Sequence, residues 1–310
     1  MPSQYDIAFQ KCKEKQIKRM LAELAANPKD VTAQIERIYT EVDKIHACRI
    51  KAPTNLCEAY KDEIKKRVSE VPVNYGMRRL DYFTGGIRRQ ELTIIAARPG
   101  VGKSAFALQI AKGMTLRSQK SLFFPLEMSG AQLMERIVCG ENEIPHEYLK
   151  TPSKMTQEQR DDLNLFLDGY HDTMQELSVI ERVNSLSEIK RHIEHYSPSA
   201  VFIDQLSQLR ENHNFKSVRE RYMYMTNTLK EIAMTLNVPI ILLAQLNRDA
   251  QGREPTLADL KESGSIEEDA DNVIFLHTPN EMGIDYRTDA TIYIAKQRHG
   301  EKGKKISALS

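Results

Sequence analysis

Short apolar segments of strand length recur along the chain from about residue 73 onwards. Seven of them are almost continuous in apolar residues, and they read ELTIIAA, SLFFPLE, LSVIER, AVFIDQ, PIILLAQ, NVIFLH and TIYIAKQ. Strands that are buried on both faces have this composition, as in parallel sheets covered by helices. Helix-start signals lie between them, with a serine followed three residues later by Gln or Glu at Ser129, Ser185 and Ser217. The alternation predicts an α/β fold with a doubly wound, mostly parallel sheet and helices on both faces.

The first 70 residues follow a different pattern, in which apolar residues repeat at helical spacing. Two such stripes predict a small all-helical segment over residues 1–52, and they contain Ile17, Leu21 and Leu24, then Val31, Ile35, Ile38, Val42 and Ile45. Residues 53–70 predict a helix with one apolar stripe, formed by Leu56, Tyr60, Ile64 and Val68. That stripe must pack against its own domain or a neighbouring subunit. The α/β domain then occupies residues 71–310.

The overall composition narrows the class of protein. Hydrophobic residues make up 41% and charged residues 28% of the chain, so a packed core is expected. The 44 basic and 43 acidic residues leave a net charge of +1, which excludes a protein that coats nucleic acid non-specifically. The four cysteines lack paired zinc spacing, and neither a signal peptide nor a membrane-spanning segment is recognisable. We therefore expect a cytoplasmic protein with free thiols and no membrane contact.

A candidate phosphate-binding loop lies between the strand LTIIA and the helical run AFALQIA. Glycines in such a loop let backbone N–H groups face phosphate oxygens, while the lysine reaches the terminal phosphates and the serine hydroxyl reaches Mg²⁺. The pattern usually begins with glycine, and Ala97 is a small replacement. The loop predicts a nucleotide site formed by Arg98, Pro99, Gly100, Val101, Gly102, Lys103, Ser104 and Ala105.

Three further polar residues end apolar strands, and parallel strands bring such ends to one edge of the sheet. Asp204 closes AVFID and is the expected second ligand of Mg²⁺. Because the next residue is Gln205 and not an acid, the general base must come from another strand, and Glu127 after SLFFPL is the best candidate. The alternative role for Glu127 is a first-turn acid that stabilises the following helix. Gln245 closes PIILLAQ, where it could contact the terminal phosphate or be purely structural.

Six segments, in order, resemble the motor domain of DnaB-type hexameric replicative helicases: ARPGVGKSAFAL, FFPLEMS, VFIDQLSQL, ILLAQLNR, LKESGSIEEDAD and IAKQRHG. The resemblance covers about residues 71–303. It implies a RecA-like fold and an ATP-dependent DNA helicase of bacteria or phages that moves 5′-to-3′ on single-stranded DNA. The helix over residues 53–70 matches the family's linker helix, which packs on the adjacent motor domain. The chain departs from the family in its smaller amino-terminal region. It also ends in KKISALS, where the family pattern continues with a closing strand.

The resemblance implies roles at the nucleotide. Lys103, Ser104 and Asp204 match the residues that hold ATP and Mg²⁺. Glu127 matches the general base, and Gln245 matches the sensor of the terminal phosphate.

Further roles concern the neighbouring subunit and DNA. Arg298 matches the arginine that reaches into the neighbour's nucleotide site, and Lys296 matches its helper. Taken without the resemblance, the two cations indicate a solvated charge pair at a strand end. The segment that touches single-stranded DNA in the ring channel matches Lys261, Glu262, Ser263 and Gly264.

The resemblance also implies partners: a homo-oligomeric, hexameric ring, single-stranded DNA, a primase and a helicase loader. Two alternatives remain open at the level of sequence. One is a RecA- or RadA-like recombination ATPase, which shares the core, and the other is a non-catalytic helicase-loading or assembly module. The intact residues Lys103, Ser104, Asp204 and Glu127 favour an enzyme over a module. The later motifs favour a helicase over a recombinase.

Overall fold

The computed structural model describes residues 15, 17–22, 35, 37–38, 55–69, 72–141, 144–211, 213–247, 253–260, 268–278, 291–300 and 302–307. The chain divides into two units, Met1–Glu70 and Val71–Ser310. In the first unit, residues 17–22 are helical, and helix α1 comprises Leu56–Ser69. The apolar stripe of α1 is exposed at Leu56, Tyr60, Ile64 and Val68. A further division of this unit at residue 52 stays a prediction.

The second unit alternates strands and helices. Its strands are β1 Leu92–Ala97, β2 Ser121–Pro125, β3 Leu177–Val179, β4 Ala200–Asp204, β5 Ile240–Gln245, β6 Asn272–His277, β7 Thr291–Gln297 and β8 Lys304–Ser307. Its helices are α2 Arg78–Thr84, α3 Lys103–Thr115, α4 Gly130–Glu141, α5 His146–Lys150, α6 Gln157–Thr173, α7 Leu186–Tyr196 and α8 Val218–Leu236. Short 3₁₀ turns occur at Pro152–Lys154, Leu206–Gln208 and Leu257–Asp259.

The strands form one 8-stranded sheet in the order β3-β2-β4-β5-β1-β6-β7-β8. Pairing is parallel from β3 to β6, and β7 and β8 are antiparallel. All seven predicted strands are present. An eighth strand, β8, was not among those predicted; it lies in KKISALS and pairs with β7. With Ile306 as its one apolar residue, KKIS lacks the apolar composition by which the other strands were predicted.

The three serine signals form helix caps as predicted. The Ser185 hydroxyl accepts a hydrogen bond from the Glu188 N–H at 3.3 Å, at the start of α7. Ser217 caps α8 in the same way, at 3.1 Å from the Glu220 N–H. Ser129 accepts from the Gln132 N–H at 3.2 Å, before α4. Each cap satisfies a backbone donor that the first helical turn leaves without an intrahelical partner.

Hydrophobic side chains cover both faces of the sheet. On one face, α7 and α8 pack against alternate strand residues, and the buried members include Ile189, Leu229, Ile94 and Leu242. On the other face, α3 packs against the intervening residues, among them Ile110, Ile95 and Leu243. Strands β1, β2 and β4 are buried along their whole length. This double covering explains their continuous apolar sequences.

The two edges of the parallel sheet carry different polar residues. At the carboxyl edge, Pro125 pairs with Asp204 and Ala97 pairs with Gln245. The residues that follow these strand ends therefore converge. At the amino edge, β6 begins at Asn272, which pairs with Gln297 at the end of β7. Since β1 has six residues, the edges lie roughly 17 Å apart at about 3.3 Å per residue.

Candidate nucleotide site

The predicted phosphate-binding loop connects β1 to α3 at the carboxyl edge. Gly100 and Gly102 have φ angles of 82° and 93°, in the left-handed region that favours glycine. A Cβ at Gly102 would meet no atom within 4 Å, so the backbone conformation and not space calls for glycine there. Helix α3 begins at Lys103, directly after Gly102. The N–H groups of its first turn therefore adjoin the loop, as anion binding requires.

A chain of side-chain hydrogen bonds links this loop to the residues that follow β4 and β2. Nζ of Lys103 donates to Oε1 of Gln205 at 2.7 Å. Nε2 of the same Gln205 donates to Oε2 of Glu127, also at 2.7 Å. The main chains are tied as well, since the Leu126 N–H donates to the Asp204 carbonyl at 2.6 Å. Gln205 thus bridges the loop lysine and the candidate general base.

Burial and nearby charges act in opposite directions on Lys103. Loss of solvent lowers the pKa of its ammonium group, and the carboxylates of Asp204 and Glu127 partly offset this by raising it. The guanidinium of Arg136 lowers the pKa further. A buried ammonium group of this kind is stabilised when an anion arrives, which suits a phosphate ligand.

The chemistry of a hard cation site is present beside the loop. Asp204 is only 2% exposed, and its Oδ1 has no hydrogen-bond partner among the described residues. Ser104, in the first turn of α3, is also buried. A carboxylate oxygen and a hydroxyl oxygen are ligands that Mg²⁺ accepts. The described ranges contain no cluster of three or more His, Cys, Asp or Glu residues that could hold a metal without the help of another ligand.

The predicted arginine lies at the opposite, amino edge of the sheet. Arg298 directly follows β7, and its Nη1 donates to Oδ1 of Asp271 at 2.8 Å. Lys296, near the end of β7, donates to the Glu268 carbonyl at 3.4 Å. Because β1 separates the edges by roughly 17 Å, Arg298 lies beyond reach of the phosphate-binding loop of its own chain.

Of the other predicted site residues, the structure describes Gln245 but not the four candidate DNA-contacting residues. Gln245 is half-buried at the tip of β5, beside β1 and its loop. The candidate DNA-contacting residues lie outside the described residues, namely Lys261, Glu262, Ser263 and Gly264. The segment just before them is anchored, because Arg253 donates to Asp259 at 2.7 Å and holds the pKa of that carboxyl down at about 2.

Comparison with known proteins identifies the family. A model of the DnaB-like helicase C-terminal domain matches residues 72–308. The chain belongs to the DnaB-like helicase family. Replicative DNA helicase DnaB of Geobacillus stearothermophilus is 34% identical over 238 residues, which cover 74% of this chain and 52% of the relative. DnaB of Treponema pallidum (strain Nichols) is 30% identical over 279 residues, covering 88% and 62%. This DnaB-like chain therefore spans 52% to 62% of these relatives.

Two solved structures resemble the DnaB-like chain in fold. One is described as an ATPase domain, and it matches with a TM-score of 0.73 at 26% identity, over 83% of this chain and 95% of that one. A DnaB-like replicative helicase, described with its interactions with primase, matches with a TM-score of 0.69 at 25% identity, over 97% and 74%. The predicted RecA-like fold class is confirmed. No helix within the described ranges is long and apolar enough to cross a bilayer.

Two polar residues of the DnaB-like domain were not predicted from the sequence. Gln205 was noted only for not being an acid, yet it contacts both Lys103 and Glu127. Asp271 was one acid among several in EEDAD, yet it is 2% exposed and binds Arg298. The sequence signal for both residues was their position next to a buried strand. Their side-chain partners are distant in sequence, so no local pattern indicated the contacts.

Proposed function

We propose that this chain is the ATP-hydrolysing motor of a replicative DNA helicase, which works as a homo-oligomeric, hexameric ring. The observation that carries the proposal is the position of the phosphate-binding loop and of Arg298 at opposite edges of one sheet. Since one chain cannot bring the two together, a complete site needs the loop of one subunit and Arg298 of the next. Family membership supports the reaction, in which ATP hydrolysis drives 5′-to-3′ movement on single-stranded DNA and unwinding.

ATP is the nucleotide in this proposal, and its phosphates would face the backbone N–H groups of the loop and of the first turn of α3. Lys103 would leave Gln205 and bind the terminal phosphates. Oδ1 of Asp204 and the Ser104 hydroxyl would hold Mg²⁺, which commonly takes one or two protein ligands and keeps phosphate and water for the rest. When bound, Mg²⁺ neutralises charge on the phosphate oxygens.

Glu127 is the proposed general base, and it accepts a proton from the water that attacks the terminal phosphate. Gln205 acts on it through the hydrogen bond to Oε2, which holds the carboxylate at the tip of β2. When phosphate draws Lys103 away, Gln205 keeps this bond and loses only the other. Gln245 contacts the terminal phosphate from the tip of β5 and relays its presence to the residues downstream.

Arg298 acts in the neighbouring subunit's site. A guanidinium placed against the terminal phosphate stabilises the charge that develops during transfer, and in comparable enzymes this accelerates the reaction about 10³- to 10⁵-fold. Lys296, on the same strand, adds a second cation as helper. Hydrolysis therefore depends on an assembled ring, because each nucleotide site contains residues of two subunits.

The ring grips DNA through repetition of a small contact. Lys261, Glu262, Ser263 and Gly264 would line the channel, with the lysine paired to phosphate and the small residues allowing close approach of the main chain. A ring repeats this contact in every subunit, which suits a chain with a net charge of only +1. We also propose that the ring binds a primase and a helicase loader, and that it works in the cytoplasm.

Gln205→Leu is expected to lower kcat by about tenfold to 10²-fold, because a lost hydrogen bond to a charged group is worth about 1.5–3 kcal/mol. Binding of a fluorescent ATP analogue should persist, since Lys103 and the loop remain. Gln208→Leu is the matched control, three residues along the chain and outside the Lys103–Gln205–Glu127 chain of hydrogen bonds. Equal kcat values for the two variants would exclude a role for Gln205.

The function itself is tested by DNA unwinding. With ATP, the protein should displace a strand from a fork that carries a 5′ single-stranded tail, and not from one with only a 3′ tail. Its ATPase rate per subunit should rise steeply with protein concentration and with added single-stranded DNA. Strand exchange without displacement would instead indicate a recombinase. No turnover under any condition would indicate an assembly module.

A further inference from the structure

Asp271 is a buried acid at the amino edge of the sheet, directly before β6. Its main chain is held by two hydrogen bonds: its N–H donates to the Leu92 carbonyl at 2.9 Å, and its carbonyl accepts from the Arg298 N–H at 2.9 Å. Its side chain is only 2% exposed. A buried carboxylate needs partners to offset the loss of solvent, and Asp271 has three.

The two carboxylate oxygens of Asp271 have different partners. Oδ2 accepts from the Leu92 N–H at 2.8 Å and from Nζ of Lys230, on α8, at 2.6 Å. Oδ1 accepts from Nη1 of Arg298 at 2.8 Å. One oxygen is therefore bound to the core of the domain, and the other is directed at the arginine that follows β7. Lys230 and Arg298 both bring positive charge to this buried carboxylate, and Lys230 is the one that binds the oxygen on the core side.

Arg298 is held at one point and is otherwise available. Its side chain is 48% exposed, and among the described residues Asp271 is the one hydrogen-bond partner of the guanidinium. A guanidinium carries five N–H donors. One bond to Asp271 fixes its position and leaves most donors for a group outside the chain.

We propose that Asp271 is the positioning residue that presents Arg298 to the nucleotide site of the neighbouring subunit, with Lys230 holding the carboxylate in place. The inference rests on the proposed function, in which Arg298 acts in trans. An arginine that is already fixed loses less conformational freedom when it binds the terminal phosphate, and it arrives in the correct geometry. The same bonds join Arg298 to α8 and β1, so a shift of this edge would move the arginine with it.

The test is Asp271→Asn, which keeps the shape and one acceptor oxygen but removes the charge that holds Arg298. We expect its ATPase rate to fall at least about tenfold, as part of the 10³- to 10⁵-fold contribution of such an arginine. The Asp271→Asn variant keeps Lys103 and Glu127, so its own nucleotide site lacks no residue. Glu91→Gln is the matched control, because Glu91 is a buried acid at the same edge whose carboxylate accepts from Asn272 and lies 4.0 Å from Nε2 of His299. Among the described residues it has no contact with the Arg298 guanidinium, so this variant should keep the wild-type rate.

Mixed rings separate positioning from general damage. Asp271→Asn mixed with Glu127→Gln should recover activity, since the second protein offers a well-held Arg298 to the intact sites of the first. Asp271→Asn mixed with Arg298→Ala should not recover, because both fail to supply the arginine. Recovery in that second mixture, or a wild-type rate for Asp271→Asn alone, would overturn the inference.

A reference mixture and a second variant keep the test decisive. If Glu127→Gln with Arg298→Ala recovers while Asp271→Asn with Glu127→Gln does not, the inference about Asp271 fails and the proposed function stands. If the mixture of Glu127→Gln with Arg298→Ala also does not recover activity, the proposed function itself is wrong. Should Asp271→Asn not fold, the double variant Asp271→Asn/Lys230→Met removes the buried ion pair as a unit. It should give the same pattern of recovery.

Discussion

Replacement of Lys103 by alanine is expected to lower the steady-state ATPase rate at least about 10²-fold, the cost of removing one charge-stabilising donor from an active site. Nζ of Lys103 donates to Gln205, and the carboxylates of Asp204 and Glu127 raise its pKa against the effect of burial. Without it, an incoming triphosphate meets two acids and has lost the loop cation that offsets them. Binding should therefore weaken together with turnover.

The measurement is ATPase rate together with titration of a fluorescent ATP analogue. Lys120→Ala is the matched control, because Lys120 is an exposed lysine of the same domain, directly before β2. The control should behave as the wild type in both assays. Turnover near the wild-type rate in Lys103→Ala would mean that the loop is not the nucleotide site.

Replacement of Glu127 by glutamine is expected to stop hydrolysis while leaving ATP bound. The amide keeps the size of the side chain and an oxygen that can still accept from Nε2 of Gln205, which lies 2.7 Å from the carboxylate. It is too weak a base to take a proton from water. The loss of a general base costs about 10²- to 10⁴-fold in rate.

Single-turnover release of phosphate measures the chemical step in this variant, and analogue binding shows that the site is intact. Glu135→Gln serves as control, since Glu135 lies on α4 and contacts His146 at 3.3 Å. Full activity in Glu127→Gln would remove Glu127 from the mechanism. It would leave this acid with the alternative role of stabilising the start of α4.

The sheet could be predicted from sequence because most of its strands are buried on both faces. Seven continuous apolar runs have no other favourable place than a covered sheet, and serine caps mark three of the helices between them. Strand β8 was not predictable in the same way. It is an edge strand of four residues with two lysines, and only its pairing with β7 defines it.

The site was predictable where chemistry coincides with a strand end. Lys103, Asp204 and Glu127 carry the functional groups that nucleotide hydrolysis needs, and parallel strands deliver their ends to one edge. Gln205 and Asp271 are different, because their importance comes from contacts between distant parts of the chain. Gln205 binds residues 102 and 78 positions away. No local pattern records such contacts.

Mixing two inactive proteins tests whether neighbouring subunits share one nucleotide site. Glu127→Gln lacks the base but offers Arg298, and Arg298→Ala lacks the arginine but keeps its own base. In a mixed ring, the sites of the Arg298→Ala subunits that adjoin a Glu127→Gln subunit become complete. We predict that the ATPase rate of the mixture exceeds the sum of the rates of the two separate proteins, in the presence of single-stranded DNA. A rate equal to the sum of the rates of the two separate proteins would mean that neighbouring subunits do not share a site.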